Sequence, residues 1–531
     1  MTESLASSRR PRSRTRLALA GVVLCIGVGL VGASASSGAL QGNQASAAKG
    51  TIVWAVPGDV SGTDPENNGQ DLSQSILALT YQHLVTLGDG LHISPELAES
   101  WTQPDAATYV FHLRPNVRFS NGRLLEAADV VGSFDRILSK AEGSYLAGRL
   151  TSVKNVTALN KSTVQFKLSA PSAAFLPALA DPAAAILPMK ELNAGTFDPN
   201  KQLLGTGPFV AQSHQLNASW TFVPNRHYWV SGEPKVSKVQ INVIPDESTE
   251  IAALRGGTAN VAIFQSADVS KLLAGVPSVK SVVQSGTEQW ILVVNDVSPG
   301  PLTNVLLRRA INQGLSRKAI ASVALSGLGK PVGPASGTPA SCSVSALKYS
   351  QFNAAAAQAN VQAAGATGVK ITLQYSPIYP DAVSMAQVIQ SQLANVGIAV
   401  TLDPLSPGEF GNNFVGGNFD LSIVFYGTGT DPYFGLINWN PALAGYTAKF
   451  NAPVAAFNAL LPKIASTTNA TKRKSLIQQA CMLIDADSAQ LPVLSKVQTI
   501  AYRTDLLNAK VLSAEDASNP MRGIETWTTT K

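Results

Sequence analysis

Charge is scarce in this sequence: Asp, Glu, Lys and Arg make up only 14% of its 531 residues. Histidine stands at five and cysteine at three. Each shortage removes a class of function. His83, His92, His112, His214 and His227 are scattered, with no HExxH and no pair spaced to chelate, so a zinc or nickel site has no ligand set. There is no CxxC, hence neither a zinc ribbon nor a thioredoxin-type pair. The GxSxG elbow of serine hydrolases is missing. "GLGKP" (327–331) lacks both a Ser/Thr after its Lys and a Gly five positions before Gly329, so it makes no phosphate cradle. No metal and no cofactor is expected, and nothing recommends an enzyme. A hydrolase whose groups meet only in the fold stays open as an alternative.

The formal net charge of +6 is unevenly placed. Residues 1–47 hold Arg9, Arg10, Arg12, Arg14 and Arg16 against Glu3, which is four of the six charges. The remainder is spread out, without a basic run or interleaved aromatics, so nucleic acid is not an expected partner. After the arginines comes the uncharged "LALAGVVLCIGVGLVGA" (17–33), then small and polar residues with Ala45-Ser46-Ala47 as a small-x-small site. This is the layout of a secretory signal over 1–47, and it predicts a periplasmic, cell-envelope or extracellular protein. A retained anchor is the alternative, since the apolar stretch approaches the ~20 residues that span a bilayer. Dilution by Gly and Ser after Val31 favours cleavage. Cys25 follows Val22-Val23-Leu24 rather than a small residue, so no lipoprotein signal is evident. Arg9-Arg10 hints at twin-arginine export, but the following "PRSR" lacks the apolar residues that route needs. Two cysteines remain beyond the signal, Cys342 and Cys481. In an oxidising compartment they form either one long-loop disulfide or two unrelated buried thiols.

What is present is a long, apolar, mixed chain. Single hydrophobic cores stop growing at roughly 250 to 300 residues, so two or three lobes are expected. Strand-like runs recur at "TIVWAV" (51–56), "TVQFKLS" (163–169), "KVQINVI" (238–244), "WILVVN" (290–295), "KITLQY" (370–375), "IAVTL" (398–402) and "LSIVFY" (421–426). Helical patterns lie between them. In "DAVSMAQVIQSQLANVG" (381–397), Met385, Ile389, Leu393 and Val396 share one face, with Gly397 at the C′ position. "PLTNVLLRRAINQGL" starts on Pro301, and "ATKRKSLIQQACMLIDAD" ends in a polar cluster. Strand–helix–strand alternation from 370 to 426 predicts a parallel βαβ unit in an α/β lobe.

One stretch carries more than periodicity. From Pro95 through Leu97, Ala98, Ser100, Trp101, Phe111, Leu113, Arg114, Val117, Phe119, Gly122, Ala128, Asp129 and Val130, the chain resembles the signature of the family 5 extracytoplasmic solute-binding proteins of ABC importers. This is the oligopeptide, dipeptide and nickel type. Further landmarks follow in the family's order: "TDPENN" (63–68), "GTGPF" (205–209), "NRHYW" (225–229), "LRRAINQGLSRKAI" (307–320), "QLANVGIAV" (392–400) and "FDLSIVFYGTGTDP" (419–432). Nickel finds no His or Cys cluster here. Asn121-Gly122 reads as a tight turn, and Asp129 as a first-turn carboxylate that serves the fold.

The resemblance implies an α/β protein of the type II periplasmic-binding-protein kind: two hinge-linked lobes with an additional inserted lobe. Lobe I would comprise 48–85, 205–290 and 496–531, lobe II 86–204, and lobe III 291–495. The receptor would close on a small-molecule or peptide ligand as a monomer and deliver it to permease subunits at the membrane. A ligand-presenting sensor for a membrane signalling protein is the alternative. In the family's cleft loop, peptide receptors carry an Asp for the ligand's ammonium, and Thr428 stands at that place. Tyr426, Phe425, Trp290 and Tyr81 are the candidate aromatic walls. Asp431 precedes Pro432, where the family uses the acid structurally, and Asp64 reads as a turn residue beside the cleft.

Overall fold

The computed structural model describes residues 50–88, 92–139, 143–335, 342–427, 429–444, 446–511 and 519–530. The proposed signal therefore lies outside the described residues. The apolar run "TIVWAV" forms the strand Thr51–Val56, buried at every position and flanked by parallel partners on both edges, Lys238–Val243 and Val261–Phe264. It sits inside a ten-stranded sheet. The order is Ala399–Pro404, Lys370–Tyr375, Leu421–Gly427, Val279–Val294, Gln490–Arg503, Val261–Phe264, Thr51–Val56, Lys238–Val243, Ser219–Pro224 and Phe209–Gln215. A separate four-stranded antiparallel sheet takes Ala98–Asp105, Thr108–Leu113, Thr163–Leu168 and Val153–Asn160.

Lys370–Tyr375 pairs in parallel with both Ala399–Pro404 and Leu421–Gly427, which is the expected βαβ geometry. Its helix, Pro380–Ala394, buries Met385, Ile389 and Leu393. The helix stops earlier than the periodicity suggests: Asn395 is the C-cap, and Gly397 stands beyond it at φ 89°, a value that favours glycine. The segment at Pro301 also differs from expectation. Pro301–Thr303 is a short 3-10 turn, and the helix proper, Val305–Gly314, is capped by Asn304, whose side chain accepts from the Leu306 N–H at 2.9 Å.

The largest departure is the sixteen-residue strand Val279–Val294, of which "WILVVN" is only the end. It runs antiparallel to Gln490–Arg503 along its length, with register shifts between Ser285 and Gln289 and between Trp290 and Ile291. One end of this ribbon joins Val261–Phe264 and the other joins Leu421–Gly427. Two strands thus connect the halves of the ten-stranded sheet, and their pairing is irregular midway.

Arg114, Asn121-Gly122 and Asp129 serve the four-stranded sheet and its neighbours. Gly122 turns at φ 91°, and a Cβ there would lie 3.2 Å from His227 Nε2. Asp129 is buried, accepts from the Glu126 N–H as half of a capping box, and pairs with Arg123 at 2.7 Å. The helix Ala127–Leu138 carries Arg136 to Asp64 and Glu66, an ion group between the inserted sheet and the "TDPENN" segment. Cys342 and Cys481 are joined by a disulfide, with Cα atoms 6.2 Å apart, inside one apolar cluster.

Candidate functional site

A cavity of about 870 Å³ opens where these parts meet. Its walls come from five stretches of chain that are far apart in sequence: 57–75, 145–182, 245–288, 378–438 and 496–520. Phe425 and Tyr426 enter it from the strand Leu421–Gly427. Behind them, Trp290 is the cross-strand neighbour of Phe425, with ring centroids 5.3 Å apart, and Tyr379 stands edge-on to Phe425, also at 5.3 Å. The wall is rigid because each ring is held by another.

Charged groups stand at two places. On the floor, Lys496 of the strand Gln490–Arg503 lies 2.8 Å from Glu288 of the partner strand, both side chains only 5% exposed. Burial pulls the ammonium's pKa down, but the adjacent Glu288 outweighs this and holds it above its ordinary value. Burial likewise raises Glu288, and Lys496 outweighs that to hold the carboxylate low. The lysine also lies 4.7 Å over the Phe425 ring. On the opposite side, Arg149 donates to Asp181 at 2.6 Å, and Tyr145 donates to the same carboxylate at 2.7 Å while accepting from Gln74 at 2.8 Å.

The two sides touch. Arg149 lies 4.9 Å over the ring of Phe434, which belongs to the helix Pro432–Ile437. Phe434 and Ile437 bury themselves in the apolar core of the four-stranded sheet, and the Ala173 N–H donates to the Ala465 carbonyl at 3.0 Å. The cleft is enclosed on this side as well as at the floor.

Of the residues singled out in the sequence, Phe425 and Tyr426 line the cavity. Thr428 lies outside the described residues; its neighbours Gly427, Gly429 and Thr430 line the wall. Trp290 is 2% exposed and supports the wall from behind. Tyr81 is buried and faces a separate small pocket with His83 and Arg522. Asp431 caps the helix Pro432–Ile437, accepting from the Tyr433 N–H at 2.9 Å, and takes Arg473 at 2.7 and 2.8 Å. Its carboxylate is spent on the fold. Sequence reasoning passed over Asp71, Arg149, Glu288, Tyr379 and Lys496. Only Lys496 offered a signal, the one charged residue in the largely apolar "LPVLSKVQTIAY". Among the described residues no group of three or more His, Cys, Asp or Glu is arranged to hold a metal.

The molecule is an α/β protein whose two sheet halves are joined by a strand ribbon, with a solute-sized cleft at the junction, an arrangement suited to holding a small molecule. Comparison with known proteins agrees. The family of bacterial extracellular solute-binding proteins, family 5, matches residues 92–446. The glutathione-binding protein GsiB of Escherichia coli (strain K12) is 26% identical over 484 residues, covering 88% of this chain and 93% of the relative. Among solved structures, the binding protein AgaA of A. tumefaciens R10, in complex with agropinic acid, aligns with a TM-score of 0.80 at 25% identity, over 91% of this chain and 99% of that one. The ABC transporter-associated periplasmic binding protein DppA of Helicobacter pylori, in complex with peptide STSA, aligns with a TM-score of 0.80 at 24% identity, over 91% and 98%. The chain belongs to family 5 of the bacterial extracellular solute-binding proteins. It is an exported receptor that captures a solute and delivers it to an ABC transporter.

Proposed function

We propose that the solute is peptide-like and is trapped by closure of two lobes about the ribbon of Val279–Val294 and Gln490–Arg503. One half comprises 48–85, 205–290 and 496–531 together with the inserted 86–204, and the other comprises 291–495. The observation that carries this reading is the cavity of about 870 Å³, with rings on one wall and ion-paired groups on the floor and opposite side. Rings supply apolar contact to side chains, and ion-paired groups supply fixed polar partners to a backbone. Similarity to receptors of glutathione and of a peptide supports the same class. The receptor works as a monomer without a lipid anchor and returns its solute chemically unchanged.

Native mass spectrometry of residues 48–531 with a dipeptide mixture tests this directly. Retained species should have the masses of intact peptides, and a hydrolysed product would contradict it. Tyr426→Ala, which removes a ring from the wall, should weaken capture by roughly 10- to 100-fold, the equivalent of about 1.4–2.8 kcal/mol. Unchanged capture would place the solute elsewhere.

A further inference from the structure

The helix Pro432–Ile437, "PYFGLI", is apolar all round, a composition that calls for burial on more than one face. It meets two cores. Leu436 packs into the apolar cluster of the half 291–495, with Phe414, Phe450 and Phe457. Phe434 and Ile437 pack instead into the cluster of the inserted part, with Phe166, Phe175 and Leu179, and Tyr433 lies against both. Phe434 is 1% exposed and Ile437 8%, so two side chains of one half have their burial in the other.

The seam between the two sides is suited to parting. The ion pairs beside it, Asp431 with Arg473 at 2.7 Å and Arg149 with Asp181 at 2.6 Å, each lie within one side. Asp431 also caps the helix, which fixes its start to its own half. What crosses the seam is apolar packing, the Arg149 guanidinium 4.9 Å over the Phe434 ring, and the hydrogen bond from the Ala173 N–H to the Ala465 carbonyl at 3.0 Å. Parting these contacts strands no charge. The loop that leads into the helix fits closely: Gly429 stands at φ 62°, and a Cβ there would lie 3.0 Å from Phe434 Cδ2 and 3.4 Å from Arg149 Nη1. Arg149, Gly429 and Phe434 also line the cavity, so the seam forms one edge of the cleft.

We propose that the helix Pro432–Ile437 is a latch: Phe434 and Ile437, seated in the core of the inserted part, hold the cleft shut on the side opposite its floor, and a solute enters or leaves only when they withdraw. This rests on the closure of two lobes proposed above and adds what holds the lobes together once they meet. In the empty receptor the halves stand apart and both side chains face water. When a solute brings the halves together, the seating of Phe434 and Ile437 adds apolar burial to the contacts that the solute itself makes. That contribution is shared by every solute that fits, and choice among solutes is left to the rings and polar groups of the cavity.

The test compares Phe434→Ala and Ile437→Ala with the unmodified protein in two measurements, capture of a dipeptide mixture by native mass spectrometry and the melting temperature without solute. Ile437 is not among the residues that line the cavity, so its effect on capture does not come from touching the solute. Each variant should weaken capture at least roughly tenfold, the scale expected for truncating a buried apolar side chain, and leave the solute-free melting temperature unchanged. A lowered solute-free melting temperature in either variant, failure to fold included, means that the side chain is seated without solute and overturns the latch. Unchanged capture by Ile437→Ala overturns it as well. The melting measurement uses no solute, so it decides the latch even where the unmodified protein captures no dipeptide, an outcome that removes the peptide reading alone.

Discussion

Replacing Arg136 by methionine is expected to cost the folded protein about 3–5 kcal/mol, the range seen when one partner of a buried ion group is removed. Arg136 sits on the helix Ala127–Leu138, and its guanidinium reaches Asp64 and Glu66, whose side chains are 4% and 0% exposed. Methionine fills much of the same volume, so the loss comes from two carboxylates stranded away from water. The helix belongs to the inserted part and the two acids to the segment next to the cleft, so the change also loosens the docking of one on the other. Guanidinium unfolding gives the size of the effect. Two further results separate charge from packing. Acidification, which neutralises the stranded acids, should recover part of the loss. Adding Asp64→Asn and Glu66→Gln to the methionine variant should recover more, because no buried charge is then left alone. A loss below about 1 kcal/mol would mean that the group behaves as an exposed pair.

Replacing Glu250 by glutamine should stabilise the protein, and increasingly so as pH rises. Glu250 lies in the helix Glu247–Gly256, is 1% exposed, and its Oε1 has no hydrogen-bond partner among the described residues. Burial, helped by the nearby Glu247 charge, pushes its carboxyl from the ordinary 4.5 up to about 9. The unfolded chain loses this proton near pH 4.5 and the folded chain keeps it to about 9, so between those values the folded state binds one proton more. Stability therefore falls with rising pH across that window, at about 1.4 kcal/mol per pH unit for a full proton difference. Below the lower value the contribution of this group is fully present. Glutamine does not titrate, so the advantage of Glu250→Gln should be near zero at pH 4.5 and widen above it. Melting temperatures of the two proteins measured from pH 4.5 to 8 check this, and parallel curves would contradict it.

The parts of the fold that could be read from the sequence are those where one face or both faces are apolar. Thr51–Val56, Thr163–Leu168 and Lys370–Tyr375 appear almost to the residue because β-branched and aromatic side chains dominate them. The first half of Val279–Val294 was hidden, since "VKSVVQSGTEQ" alternates too loosely to signal a strand, and its extension depends on pairing with Gln490–Arg503. That hidden segment is the one that joins the two halves and brings Glu288 to the cleft. The helix after Pro301 was displaced by a few residues because Asn304 is the better cap. The cleft itself was legible only where a family pattern pointed, at Phe425 and Tyr426. Trp290 was visible as an aromatic in a strand, but its place behind Phe425 is a matter of register between two strands. Asp71, Glu288 and Lys496 are separated by hundreds of positions, and no spacing rule connects groups that meet only when three segments converge.

The account stands on closure of the two halves about the strand ribbon. Small-angle X-ray scattering of residues 48–531, with and without a saturating dipeptide identified by capture, tests this most directly. The radius of gyration should fall on binding. An identical radius of gyration with and without bound peptide would contradict the clamp.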